Sequence, residues 1–281
     1  MNATIAGFNR RRAAGFTLTE MMVAMVIGLL LTVAISQVFL TSKRNIASTD
    51  DSARVQENIR FVLQMMTRHL RQAGYKSSPT TLSSTTFPTG TNGAGLFGTE
   101  GGGTTSDSIK IRLMGSGAGT SPNLGRNATT YMTANDSGAD GLIVDCRGYM
   151  VDSNLIALNE YTIAAGANGR NALFCNGSEL VADIDNMQIL YGEETDAVLS
   201  DTNYGPNYYV NAGSVVNMDS VTSVKLALLF RSPTATSDVV ISKTYSLLGT
   251  TIPAFNDQVS RRAISITVSL RNRPVKDIGG S

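Results

Sequence analysis

The chain has no tryptophan, one histidine (His69) and two cysteines in 281 residues, and 16% of its residues are charged. A single imidazole leaves no second histidine for a metal pair or an acid–base pair. Neither a Gly-x-Ser-x-Gly elbow nor a His-Glu-x-x-His helix occurs, so an enzyme reading has little to rest on. The formal net charge of +1 gives no electrostatic footprint for nucleic acid. The glycines at 115, 117 and 119 are not followed by Lys-Ser/Thr and open no helical pattern, which excludes a phosphate loop. No cofactor is expected. Asp136, Asp140 and Asp145, and the group Asp183, Asp185, Glu193, Glu194 and Asp196, do not have the spacing of a calcium loop and read as solvated acidic turns.

A second absence is more telling. From Met21 to Ser42 there is no Lys, Arg, Asp, Glu or Pro. Such a run, as a helix rising about 1.5 Å per residue, spans a bilayer core of about 30 Å. Arg10, Arg11 and Arg12 precede it, Gly15 separates them from it, and Glu20 stands at its mouth. An ionisable residue at that depth is costly to desolvate and is a functional candidate. Three fates are open to the stretch. It can be an ordinary signal anchor with Glu20 snorkelling, or a removed signal cut near Ala34-Ile35-Ser36. It can also be a retained helix cut ahead of its apolar part, after Gly15.

Gly15-Phe16-Thr17-Leu18-Thr19-Glu20, behind a short basic leader and ahead of about twenty apolar residues, resembles the processing site of type IV prepilins. The resemblance implies cleavage after Gly15 by prepilin peptidase, N-methylation of Phe16, and pairing of Glu20 with the amine of a neighbouring subunit. A charge buried in a bundle of such helices is tolerable when paired, and stranding one partner costs about 3–5 kcal/mol. Loss of residues 1–15 removes three arginines and turns the formal charge from +1 to −2.

The leader arginines favour a cytoplasmic amino terminus and a periplasmic remainder. In that oxidising compartment Cys146 and Cys175 most simply form one disulfide; a metal pair and a reactive thiol are the alternatives. Past Leu40 the helical pattern continues. Val55, Ile59, Val62, Met66, Leu70 and Ala73 make one apolar face, and Gly74 stands at a left-handed cap. No proline intervenes from Phe16 to Gly74, so the spacing predicts one helix, weakest over the polar stretch Thr41 to Asp51. Its second half must pack on the following domain, or less plausibly form a short coiled-coil seam. His69 reads as a surface or domain-facing residue.

Ser77 to Ser108 reads as loop. Strand signals follow at 109–113, 142–144, 161–163, 172–175, 179–181, 187–191, 224–230, 239–247 and 264–270, with a turn at Cys175-Asn176-Gly177-Ser178. Arg261-Arg262 and the Arg271-Arg273-Lys276 group read as a solvated strand edge, and the Tyr204 to Tyr209 loop as a packed loop or a partner contact. The fold expected is α+β, a long helix laid on antiparallel sheet. The expected segments are 1–15 leader, 16–42 membrane or filament-core helix, 43–74 amphipathic half-helix and 75–281 β-rich periplasmic domain.

Arg71-Gln72-Ala73-Gly74-Tyr75, Val221 to Arg231, Leu173-Phe174-Cys175, Met187-Gln188-Ile189-Leu190-Tyr191-Gly192 and Ser269-Leu270-Arg271-Asn272-Arg273 resemble the PilW family of minor pilins. The tryptophan common in that family before the Val221 region is absent. The resemblance implies a pilin-like fold and an inner-membrane protein extracted into a surface pilus. Its implied role is priming type IV pilus assembly with other minor pilins, near the tip. The implied partners are prepilin peptidase, the major pilin and the assembly platform of the inner membrane. A type II secretion pseudopilin of the J type and a membrane-anchored periplasmic binding or adhesion domain are the alternatives.

Overall fold

The computed structural model describes residues 15–75, 95–102, 105–114, 144–148, 156–195, 205–237 and 239–272. These fall into two compact units, divided between Asp50 and Asp51. The dividing point lies inside one helix, α1 (Leu18–Gln72), which runs without a break through the polar stretch around Thr41 to Asp51.

The first unit is the apolar part of α1. Its residues are exposed all round, from Phe16 through Leu40. The few hydroxyls in it are satisfied within the helix: Thr32 Oγ1 donates to the Gly28 carbonyl, Ser36 Oγ to Thr32, and Thr41 Oγ1 to Gln37. A helix whose hydroxyls bond to its own backbone and which has no polar face suits hydrocarbon or a bundle of like helices, not water.

In the second unit, Val62, Met66 and Leu70 of α1, and Ala73 just past its end, are buried in one core, as the apolar spacing predicts. Gly74 ends the helix with φ +74°, and its N–H donates to the Arg112 carbonyl. A side chain there would meet the Asn272 carbonyl at 2.7 Å, so both backbone angle and space demand glycine. The Met114 N–H then donates to the Tyr75 carbonyl, strapping the helix end to a strand.

That strand is β2 (Ser108–Met114), in a five-stranded antiparallel sheet with β1 (Leu96–Thr99), β3 (Ile156–Ala165), β4 (Asn171–Cys175) and β5 (Ser178–Ala182), in that order. The β4–β5 turn has Asn176 and Gly177 both at positive φ, the arrangement Asn-Gly favours. A second antiparallel sheet runs β11 (Arg261–Ser269), β8 (Val221–Arg231), β6 (Ile184–Glu193), β7 (Tyr208–Val210). A hairpin of β9 (Tyr245–Leu247) and β10 (Thr250–Ile252) completes the described strands.

The structure corrects several sequence expectations. Strand β8, expected over 224–230, runs longer and is buried on both faces: Val224, Leu226, Leu228 and Phe230 face the α1 core, while Ala227 and Leu229 are buried with Leu247 and Ile252 of the hairpin. The predicted strand 239–247 is confined to its last residues, because that hairpin caps the second face instead of extending the sheet. β1 lies inside the predicted loop 77–108, and β7 inside the tyrosine loop. Residues 142 and 143, the glycines at 115, 117 and 119, Asp136, Asp140, Asp196, Tyr204, Arg273 and Lys276 lie outside the described residues.

Three members of the acidic group along and beside β6, Asp183, Asp185 and Glu193, are not solvated. Glu193 is buried and accepts the N–H groups of Asn217 (2.7 Å) and Val216 (3.1 Å) and the Tyr208 hydroxyl (3.0 Å). Asp183 and Asp185 are buried beside Arg170, Arg231 and Arg261. Burial pushes the Asp183 carboxyl above its ordinary range, against the pull of Arg170 and Arg231. Arg261 is no strand-edge cation either. Its side chain is 2% exposed and reaches Asp185 at 2.5 Å and Asp257 at 2.7 Å, which holds Asp257 below the usual carboxylate range.

His69 is also buried, at 2% exposure, with Nδ1 at 2.5 Å from the Tyr161 hydroxyl. Burial first, then Arg68, lowers its pKa from 6.5 to about 4. The unfolded chain therefore takes up this proton first on acidification. Stability from this group is full above pH 6.5 and declines as pH falls towards 4, by about 3 kcal/mol in all. Urea unfolding of the wild type and of His69→Gln between pH 7 and pH 4 checks this. The wild type is expected to lose that increment over and above the variant, and parallel pH curves would refute it.

Candidate processing and assembly site

Gly15 and Phe16 precede the helix, and Phe16 is 89% exposed. A side chain built at Gly15 would meet nothing within 4 Å, so packing of the chain does not require glycine there. The local geometry starts at Thr17. Its N–H donates to Glu20 Oε2 at 2.9 Å, its hydroxyl donates to the same oxygen at 3.0 Å, and the Glu20 N–H lies 3.3 Å from Thr17 Oγ1. This is a capping box, in which the first residue before the helix and the third inside it satisfy each other's orphan donors. The carboxylate also sits at the positive end of the helix dipole.

The sequence reading singled out Glu20 but missed Thr17. The Thr-x-x-Glu spacing ahead of an apolar run is the signal that could have found it. In the isolated chain, Glu20 is thus held by its own backbone, in a form that a cation of another molecule can share through the carboxylate's remaining lone pairs.

The other two predicted site residues lie in the second unit. Cys146 and Cys175 are joined as a disulfide, with Cα atoms 6.2 Å apart, tying residues 144–148 to the end of β4. Cys175 is fully buried, the Cys146 N–H donates to Asn159 Oδ1, and Asn176 Nδ2 donates to the Leu158 carbonyl. The bridge closes a separation of 29 residues, for a chain-entropy contribution of about 3–4 kcal/mol.

Among the described residues no group of three or more His, Cys, Asp and Glu side chains is placed to hold a metal ion. The helix Leu18–Gln72 is long and apolar enough to cross a membrane. A basic leader, a capped apolar helix long enough to cross a membrane, and an antiparallel β head carrying one disulfide are together the features of a prepilin-like class of protein. Residues 10–36 match the family model described as the prokaryotic N-terminal methylation motif, and residues 149–272 match that of Type IV Pilus-assembly protein W. The chain thus carries an N-terminal methylation motif and a domain similar to PilW. A solved structure of a type IV-like pilin, TTHA1219 from Thermus thermophilus, is similar at 14% identity and TM-score 0.40, covering 78% of this chain and 96% of that one. No curated protein matches the chain.

Proposed function

We propose that the chain is a minor pilin that helps prime type IV pilus assembly, with a position near the pilus tip. Prepilin peptidase cuts after Gly15 and methylates Phe16, and the helix from Phe16 is retained. Before extraction the protein sits in the inner membrane, crossing it once, with its amino terminus cytoplasmic and its β-rich domain periplasmic. In the filament the apolar half-helix is buried among like helices of other minor pilins and the major pilin, and Glu20 meets a neighbour's methylated amine.

The observation that carries this reading is the all-round exposure of the apolar half of α1 directly behind the Gly15-Phe16 junction. Burying each large aliphatic side chain there is worth about 1.5–3 kcal/mol, which favours keeping the helix for assembly. Its role is structural: the chain is a substrate of the peptidase and supplies no catalytic group.

Intact-mass measurement on protein from cells with and without prepilin peptidase tests it. The expected mature form begins at methylated Phe16 in the first case and at the uncut terminus in the second. An uncut terminus in both, or a mature form beginning after Ser36, would end the proposal.

A further inference from the structure

β11 is the longest edge strand in either sheet, with nine residues against four in β1, five in β5 and three in β7. Among the described strands its single partner is β8, and the pairing from Arg261 to Ser269 has no bulge. The parity of the ladder follows from its two ends. The Leu270 N–H donates to the Thr222 carbonyl at 2.9 Å, and the Ser260 carbonyl accepts the Ser232 N–H at 2.9 Å. Even-numbered residues therefore bond to β8, while Ala263, Ser265, Thr267 and Ser269 turn their N–H and C=O groups away from the sheet. These four residues are exposed, and no backbone group among the described residues bonds to them from that side. Proteins usually blunt such an edge with proline, a bulge or charge along the strand. From Ala263 to Ser269 this strand has none of the three.

Charge stands only at its two ends. Exposed Arg262 is the second residue of the strand, and exposed Arg271 stands two residues past its last. Arg271 also lines a groove of about 540 Å³ with Arg68 and Arg71 of α1 and the apolar Leu63. Among the described residues no carboxylate pairs with Arg68, Arg71 or Arg271. A second copy of this chain is a poor occupant of the edge. Pairing β11 with β11 over this stretch, in either direction, sets arginines of one strand beside those of the other.

We infer that the outer edge of β11 takes an extended segment of a partner protein as a further strand, its middle uncharged and its ends acidic, one acidic end entering the Arg68–Arg71–Arg271 groove. Backbone bonds to the four outward residues supply affinity, and the arginines at both ends set register and partner choice. The inference stands independently of processing at Gly15.

The test uses the full chain in detergent micelles and a synthetic peptide of alternating Thr and Val with paired Asp at both ends. A second peptide carries Lys in place of Asp. Deuterium uptake of the fragment covering 261–270 is expected to slow with excess Asp-ended peptide and to be unchanged with the Lys-ended one. Arg68→Glu with Arg271→Glu is expected to weaken Asp-ended peptide binding about tenfold or more. Thr267→Pro removes an outward N–H without breaking the β8 ladder and is expected to abolish protection. If that variant does not fold, the arginine reversals decide. Absence of protection, equal protection by both peptides, or protection that arises from concentrating the chain alone would each overturn the inference.

Discussion

Replacing Glu20 with alanine is expected to lower incorporation into filaments by about two orders of magnitude or more, measured as the ratio of this protein to major pilin in sheared filaments. The size follows from the roughly 3–5 kcal/mol cost of stranding one member of a buried ion pair, at about 1.4 kcal/mol per decade. Alanine alone would not isolate the charge, because Glu20 also closes the capping box on Thr17, and loss of a cap weakens a helix start by about 1 kcal/mol. Glu20→Gln separates the two roles. Glutamine serves at the third position of a capping box but cannot neutralise an amine. It is therefore expected to keep the helix start and to assemble nearly as poorly as alanine. Wild-type incorporation of the Gln variant would refute charge pairing, wild-type incorporation of both would show that Glu20 has no part in assembly, and absence of the unmodified chain itself from sheared filaments would favour an anchored domain that never enters one.

The second large effect is on stability. Arg261→Met leaves Asp185 buried with only the more distant Arg231, at 3.9 Å, and takes the 2.7 Å partner from Asp257. Removing one member of a buried pair costs about 3–5 kcal/mol, which for a unit of this size lowers the unfolding midpoint by about 10 °C. Adding Asp185→Asn in the same chain is expected to recover part of the loss, since the stranded charge is gone. Thermal unfolding of the single and double variants in detergent checks both statements. A single variant within about 1 kcal/mol of wild type would mean that water reaches this network.

Arg261 also shows where reading the chain from one end to the other falls short. Two adjacent arginines before an alternating strand look like a solvated edge, and Arg262 is exposed. Arg261 is taken inward because β11 pairs with β8, and β8 with β6, so that Asp185 comes within its reach from 76 residues away. His69 is a parallel case. Its helical spacing gave its face, but its partner Tyr161 stands 92 positions further on. The predicted strand at 239–247 failed for a related reason. Apolar residues there matched a strand, yet β8 already has β6 and β11 at its sides, so this region covers the sheet's face with a short hairpin. At the N-terminus, the methylation motif over residues 10–36 was legible because it is contiguous, whereas the Thr17 cap went unread although its spacing to Glu20 is equally local.

By itself the sequence determined what depends on neighbours within about one helical turn or on strict periodicity. That covers the uncharged run that makes a membrane-compatible helix, the glycine that stops α1, the Asn-Gly turn and the methylation motif matched over residues 10–36. Tertiary structure alone decided which charges are buried, which faces of β8 are covered and which strand is left with an open edge. Those outcomes depend on which strands pair across long stretches of chain, and side-chain burial follows from that pairing.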